Sequence, residues 1–400
     1  MTEITDFAAI LLIVGGSVVL AAASTKVTAR LPLPPPAIFL LAAAVASDVW
    51  PSLYQSVPIL TVERIAVIAL IIILFNGGMD IGWRRFQDAV GPILTLGLAG
   101  TFATFGLVIV FAHYALGFSW VLAGLVGAAL APTDPAVMFS VLGQQEIVGR
   151  SGTTLEGEAG VNDPAGIALM IGMIELATHK DETVAVIARE FGVEMAIGSA
   201  VGVAGALAIA AILKRVTLPN EALGPIIALA LAFALYGATS LANGSGFLAV
   251  FIAGLVVGDL EAPYQAGIER FHGPLATLAE IVAFIALGLA VSIGSLSLKI
   301  WVEGILLVLL LAIAARPLVV LAGTLPFRFS WAERAFIAWS GLKGAVPILL
   351  ATFGLLAGLD DADVIIGIVF VVVLLSVAVQ GTLVPWVVRR LRIPIREAPD

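Results

Sequence analysis

The sequence predicts an all-α polytopic membrane protein of about thirteen transmembrane helices, and three observations carry that class. The 400 residues are 60% hydrophobic and 12% charged, with a mean hydropathy of +1.11, outside the range of a soluble domain of this size. Runs such as "IWVEGILLVLLLAIAA" and "DVIIGIVFVVVLLSVAVQGTLVPWVV" approach or exceed the roughly 20 residues a helix needs to cross about 30 Å of hydrocarbon. Strands alternating apolar and polar residues are not found, so the spans satisfy their backbone within helices and not in a barrel. The chain has no cysteine, which excludes disulfides, thiolate catalysis and Cys-ligated metal.

Read against Pro, Gly and charge punctuation, the apolar runs place spans near 6–24, 33–47, 60–78, 90–112, 119–139, 154–177, 190–213, 223–241, 246–258, 274–294, 300–322, 333–356 and 363–388. The opening "MTEITDF" lacks the basic region of a cleavable signal, so the first span is expected to stay. An odd count puts the termini on opposite sides. Basic loops stay cytoplasmic. With the C-terminus inside, the inner loops collect Lys26, Arg30, Arg84, Arg85, Arg150, Lys214, Arg215, Arg270, Arg328, Arg334 and the tail arginines, while the outer side keeps Arg64, Lys180, Arg189 and Lys299. The expectation is a multi-pass protein of the cell inner (plasma) membrane with its N-terminus outside, a transmembrane domain over 1–393 and a short cytoplasmic tail over 394–400.

The thirteen spans divide as six, one and six. The fifth member of each half is interrupted, by "LVGAALAPTDPAVMFSVL" in the first and "WSGLKGAVPILLATFGLL" in the second. Paired broken helices of this kind mark transporters built from two inverted six-helix repeats, whose released backbone groups face a cavity near the midplane.

A charge at the centre of a span costs about 2.5–3.5 kcal/mol, so each one needs a partner, a proton or a function. The deep set is Asp134, Glu158, Asp163, Arg316 and Lys343, with Asn76, Thr133 and Asn162 as neutral companions. In "APTDPAV", Pro132 and Pro135 cannot bond the carbonyls of Ala128 and Ala131, which leaves an oxygen-rich break at Thr133 and Asp134 suited to a cation. In "EGEAGVNDPAG", Glu158 and Asn162 share a helix face, whereas Asp163 is turned about 100° from Asn162. Glu158 is expected to pair with a buried cation and Asp163 to exchange a proton. Arg316 keeps its proton and so requires an anion. Lys343, at a Gly-flanked break, compensates the aspartates or caps half-helix ends. Glu175 and Asp48 fall near span ends, His113, His179 and His272 in or beside loops, and Asp80 and Asp88 in an interfacial loop around Arg84 and Arg85. "NGSG" at 243–246 reads as a turn.

Taken in order, "APTDPAVMFSVL", "EGEAGVNDPAG", "AARPLVV" and "GLKGAVPILLA" resemble the NhaP-like monovalent cation/proton antiporters of the first cation:proton antiporter family, nearest to its cell-volume-regulation or potassium/proton branch. The resemblance runs over essentially the whole chain. It implies an NhaA/NhaP-like fold with crossed broken helices, and a homodimer with a dimerisation domain and a moving core. It also implies that Asp163 binds cation and proton in turn beside Asn162. Thr133 and Asp134 then lie at the helix crossing, Asp163 and Thr133 serve as ligands of the transported Na+ or K+, and Glu158 with Arg316 forms a structural pair. This chain departs from the pattern at Ala159, where the family often has Ser, at Asn76, where an acid is common, and at Lys343, where Arg is usual; the first two bear on ion selectivity.

The expected activity is therefore transport, not catalysis: electroneutral exchange of a monovalent cation for H+ in pH homeostasis. No resident cofactor is expected, nor any nucleic acid; the partners are cations, protons, the lipid bilayer and a second copy of the chain. A channel would need a repeated acidic ring. An intramembrane aspartyl protease would need Tyr-Asp and Gly-x-Gly-Asp motifs, which are missing. A sodium-coupled symporter of an organic solute is the second reading; it requires a larger cavity.

Overall fold

The computed structural model describes residues 15–16, 33–50, 58–142, 145–178, 184–215, 220–262 and 264–397. The first expected span apart from residues 15–16, together with Lys26, Arg30, His179, Lys180 and the last three residues, lies outside these.

The described chain is almost wholly helical: α1 (Pro35–Val49), α2 (Ile59–Asp88), α3 (Val90–Leu116), α4 (Trp120–Leu130), α5 (Ala136–Leu142), α6 (Arg150–Thr178), α7 (Val184–Arg215), α8 (Leu223–Leu241), α9 (Gly246–Gly258), α10 (Gln265–Leu289), α11 (Leu298–Thr324), α12 (Trp331–Trp339), α13 (Ala345–Leu356), α14 (Ala362–Gly381) and α15 (Val384–Leu391). Seven of these, α2, α3, α7, α8, α10, α11 and α14, are each long and apolar enough to cross a membrane. Helix α6 is as long, but it carries the charges of the central motif. Outward positions are strongly apolar, including Leu207, Leu241 and Ile313.

Both expected interruptions are present, between α4 and α5 and between α12 and α13. Their cause is local. Pro132 and Pro135 remove two donors from the first run, and Gly341 and Gly344 flank the second. Helix α6, by contrast, continues through Pro164.

The helices pack in two groups. In one, α2 packs on α9 and α10, and α10 on α1; in the other, α4 packs on α3 and α6, and α13 and α11 on α14. Two short strands, Gln145–Ile147 and Ile395–Glu397, pair antiparallel. Arg85 donates to Thr153 at 3.2 Å, and Arg150 lies 5.4 Å from the Phe329 ring centre. Arg85, Arg150 and the basic C-terminal run thus share one end of the bundle.

Two expectations about loops are corrected. Residues 79–88 are not a loop, because α2 runs to Asp88 through a kink at Gly82, whose φ of 70° suits only glycine. Asp259 secures that kink by accepting from the Arg84 backbone N–H at 2.6 Å. His272 is not beside a loop either. It is fully buried inside α10, which begins at Gln265, and its ring packs edge-on against Phe75.

Candidate functional site

The two breaks meet, and each carries the charge that the other lacks. Helix termini leave backbone N–H groups at their N-ends and carbonyls at their C-ends without partners, and these ends carry partial positive and negative charge. Asp134 serves the starts of both second half-helices, accepting from the Ala136 N–H at 2.9 Å and the Ala345 N–H at 3.3 Å. Its own N–H donates to the Leu342 carbonyl at 2.9 Å, tying one break to the other. Lys343 serves the end of α4, donating through Nζ to the carbonyls of Ala131 at 3.1 Å and Pro132 at 2.6 Å. The approach is so close that a Cβ on Gly344 would overlap the Asp134 carboxylate. The Lys343 N–H donates in turn to Ser376 Oγ at 2.9 Å, from a π-helical stretch of α14.

Behind the crossing stands a buried polar network. Arg316 grips Glu158 in bidentate fashion, Nη1 to Oε1 and Nη2 to Oε2, the latter at 2.8 Å. Arg316 stands at the end of a π-helical stretch, Leu310–Ala315, that precedes Pro317, and its Nη2 also donates to the Ile337 carbonyl at 3.3 Å. Thr133 Oγ1 donates to Glu158 at 3.3 Å and accepts from Asn162 Nδ2 at 2.8 Å. Glu158, Asn162, Thr133 and Arg316 therefore form one connected set spanning the first break, α6 and α11.

Asp163 stands outside that set. It is 4% exposed, and its Oδ1 has no hydrogen-bond partner among the described residues; the Asn162 Oδ1 is likewise without one. Asp163 and Asp134 line one wall of a cavity of ≈ 20 Å³, about the space that one water or one small ion needs. The opposite wall comes from α2 and α10.

That wall holds a residue the sequence reading passed over. Glu280 lines the same cavity as the two aspartates. It was inconspicuous because the span was read from residue 274, which puts Glu280 within two turns of an end. Helix α10 begins at Gln265, so Glu280 lies roughly 20 Å along the axis from its start. The available signal was an acid in "ATLAEIVAFIALGL" with no base within one helical turn. Asn76, singled out in the sequence, faces elsewhere and donates along its own helix to Asp80 at 2.7 Å.

Chemically, the arrangement commits the buried cations and leaves carboxylate oxygens open. Arg316 is spent on Glu158 and Lys343 on backbone carbonyls. Asp163 keeps an oxygen aimed at a space that fits an ion.

Comparison with known proteins agrees with this architecture. The family model described as "Sodium/hydrogen exchanger, transmembrane" matches residues 16–390. A relative named K(+)/H(+) antiporter NhaP, from Alkalimonas amylolytica, is 36% identical over 84% of this chain and 59% of its own length. Another, K(+)/H(+) antiporter NhaP2 from Shewanella sp. (strain ANA-3), is 32% identical over 94% of this chain and 66% of its own. The chain thus spans about three fifths to two thirds of these relatives' length. Among solved structures, the sodium proton antiporter MjNhaP1 from Methanocaldococcus jannaschii superposes with a TM-score of 0.80 over 95% of this chain and 100% of its own, at 23% identity, which shows a shared fold. By the family match and these identities together, the chain belongs to the transmembrane sodium/hydrogen exchanger family.

Proposed function

We propose that the chain is a secondary antiporter that exchanges one monovalent cation, K+ or Na+, for one H+ through alternate occupation of Asp163. The observation that carries this reading is the open Oδ1 of a buried aspartate on an ion-sized cavity, while the cations nearest it are committed to other groups. A carboxylate so placed must be neutralised by a proton or by a mobile cation, and the two compete for the same oxygens. Thr133 and the Asn162 amide oxygen are the polar groups suited to complete a cation's shell. Asp134 and Lys343 keep the two breaks docked, so that the released backbone near Asp163 holds its shape.

Relatives named as K(+)/H(+) and Na(+)/H(+) antiporters support the same reading. The size of the cavity favours an ion over the organic solute that a symporter would carry. Because Asn162 is neutral where a second carboxylate would stand, one titrating group serves the pair and exchange moves no net charge. The chain works as a homodimer in the inner membrane, with the basic end of the bundle cytoplasmic. The test is cation-driven proton movement in sealed vesicles without organic solute: the parent should exchange K+ or Na+ for H+, and Asp163→Asn should not. Retained flux in that variant removes Asp163 from the mechanism.

A further inference from the structure

The cavity has two walls of different character. The wall from α6, α13 and the first break is polar through Asp163 and Asp134. The wall from α2 and α10 is apolar at Ala66, Leu70, Ile73, Ala283 and Leu287, with Glu280 as its charged member.

Among the described residues Glu280 has no salt-bridge partner. Its Oε1 is buried and lacks a hydrogen-bond partner among the described residues. One helical turn to either side, α10 presents Ala276, Thr277, Ala283 and Phe284, none of them basic. His272, two turns away, has its Nδ1 on the Ile268 carbonyl at 2.9 Å. Arg316 is held by Glu158, and Lys343 by the carbonyls of Ala131 and Pro132. An ionised Glu280 must then be balanced by something that enters the cavity, which means a proton or a small cation.

Across from it, Asp163 also offers an unpartnered oxygen. The two carboxylates thus open onto one space, Glu280 from α10 and Asp163 from α6.

From this juxtaposition we infer that Glu280 is a cation relay on the exchange path, taking up the incoming monovalent cation in place of its proton and passing it across the cavity to Asp163. The step balances. The proton displaced from Glu280 leaves to the side from which the cation came. When the cation passes to Asp163, the Asp163 proton moves to Glu280. Asp163 then releases the cation to the opposite side and takes up a proton there, so that one cation and one proton have crossed in opposite directions and both carboxyls are restored to their protonated forms. Glu280 thus governs how readily the cation is captured and leaves the exchange ratio at one for one. This role rests on the antiporter reading of Asp163 and adds a second station to it.

Two measurements test it. In proteoliposomes, Glu280→Gln should raise the apparent KM for K+ or Na+ about tenfold, the factor that one charge-assisted contact of ≈ 1.4 kcal/mol supplies, and lower the maximal rate with it, while the melting temperature stays near the parent's. Glu280→Asp, which keeps the charge, should recover most of the affinity. An unchanged KM in Glu280→Gln, or a lower maximal rate at unchanged KM, overturns the relay. Should the variant fold poorly, the parent protein answers directly. A hydrophobic carbodiimide that reacts with protonated carboxyls should label Glu280, and rising K+ or Na+ should protect it over the same range that protects Asp163. No labelling at Glu280, or labelling that cations do not suppress while Asp163 is protected, overturns the proposal. If Asp163→Asn still exchanges, it is the antiporter reading that fails; if Asp163→Asn is inactive while Glu280→Gln behaves as parent, only the relay does.

Discussion

Glu158 and Asp163 stand on one helix, both buried, and their surroundings could hardly differ more. Five residues of α-helix turn the second about 140° from the first. Glu158 consequently faces α11 and receives both arms of the Arg316 guanidinium together with the Thr133 hydroxyl, so that its oxygens are engaged by the protein itself. Asp163 faces the cavity with an oxygen that the described residues leave open. Burial alone therefore does not mark a transport residue. What separates the two carboxylates is whether the fold supplies the counter-charge or leaves that to the solution.

The sharpest way to break the comparison is to neutralise each acid in turn. Asp163→Asn should abolish cation-driven proton movement in vesicles while leaving a folded protein with a melting temperature near the parent's, since no ion pair among the described residues holds its carboxylate and its Oδ1 has no hydrogen-bond partner there. If that variant were poorly folded, Asp163 would belong with Glu158 as a structural group.

The converse effect belongs to the pair. Arg316→Ala leaves Glu158 buried and uncompensated, which should cost about 3–5 kcal/mol of stability. Yield and melting temperature should fall before cation affinity changes. An apolar double replacement, Glu158→Leu with Arg316→Met, should be more stable than either single change, because no charge is then left alone. An Arg316→Ala protein that melts like the parent but transports poorly would instead place the arginine on the ion path.

A smaller loss is expected at the crossing. Lys343→Met removes the donor to the Ala131 and Pro132 carbonyls, with an expected destabilisation of about 1.5–3 kcal/mol from two acceptors left without a charged donor. Thermal unfolding of purified protein measures it, and Lys343→Arg should recover part of the difference by keeping the charge.

The smallest expected effect is none at all. With one proton exchanged for one cation no charge crosses, although each net charge would couple by about 2.3 kcal/mol per 100 mV. Exchange in proteoliposomes clamped at zero and at about −100 mV should therefore reach the same ion gradient. A gradient that shifts with potential would mean that a second proton travels, through Asp134, Lys343 or Glu280.

The helical membrane class, most span positions and both interruptions were legible in the chain because they depend on local properties. Apolar runs report lipid or core, and Pro and Gly report where a helix must yield; Leu223–Leu241 and Gly246–Gly258 match the expected spans to the residue. Arg316's need for an anion was legible too, since an arginine in hydrocarbon demands one. Which anion answers it came only through the resemblance of four ordered motifs to a known family.

By itself, then, the sequence determined that this is a bundle of membrane helices with a few deep charges placed on broken or Gly-rich segments, because hydropathy and backbone chemistry act over a handful of neighbouring residues. Only the tertiary structure decided how those charges are divided: Lys343 goes to carbonyls 211 and 212 residues away, Arg316 to a carboxylate 158 residues away, and Glu280 to the far wall of the cavity that Asp163 lines. The reason is geometric. Whether a buried charge is satisfied depends on which distant helix face is packed against it, and no local pattern along the chain encodes that distance.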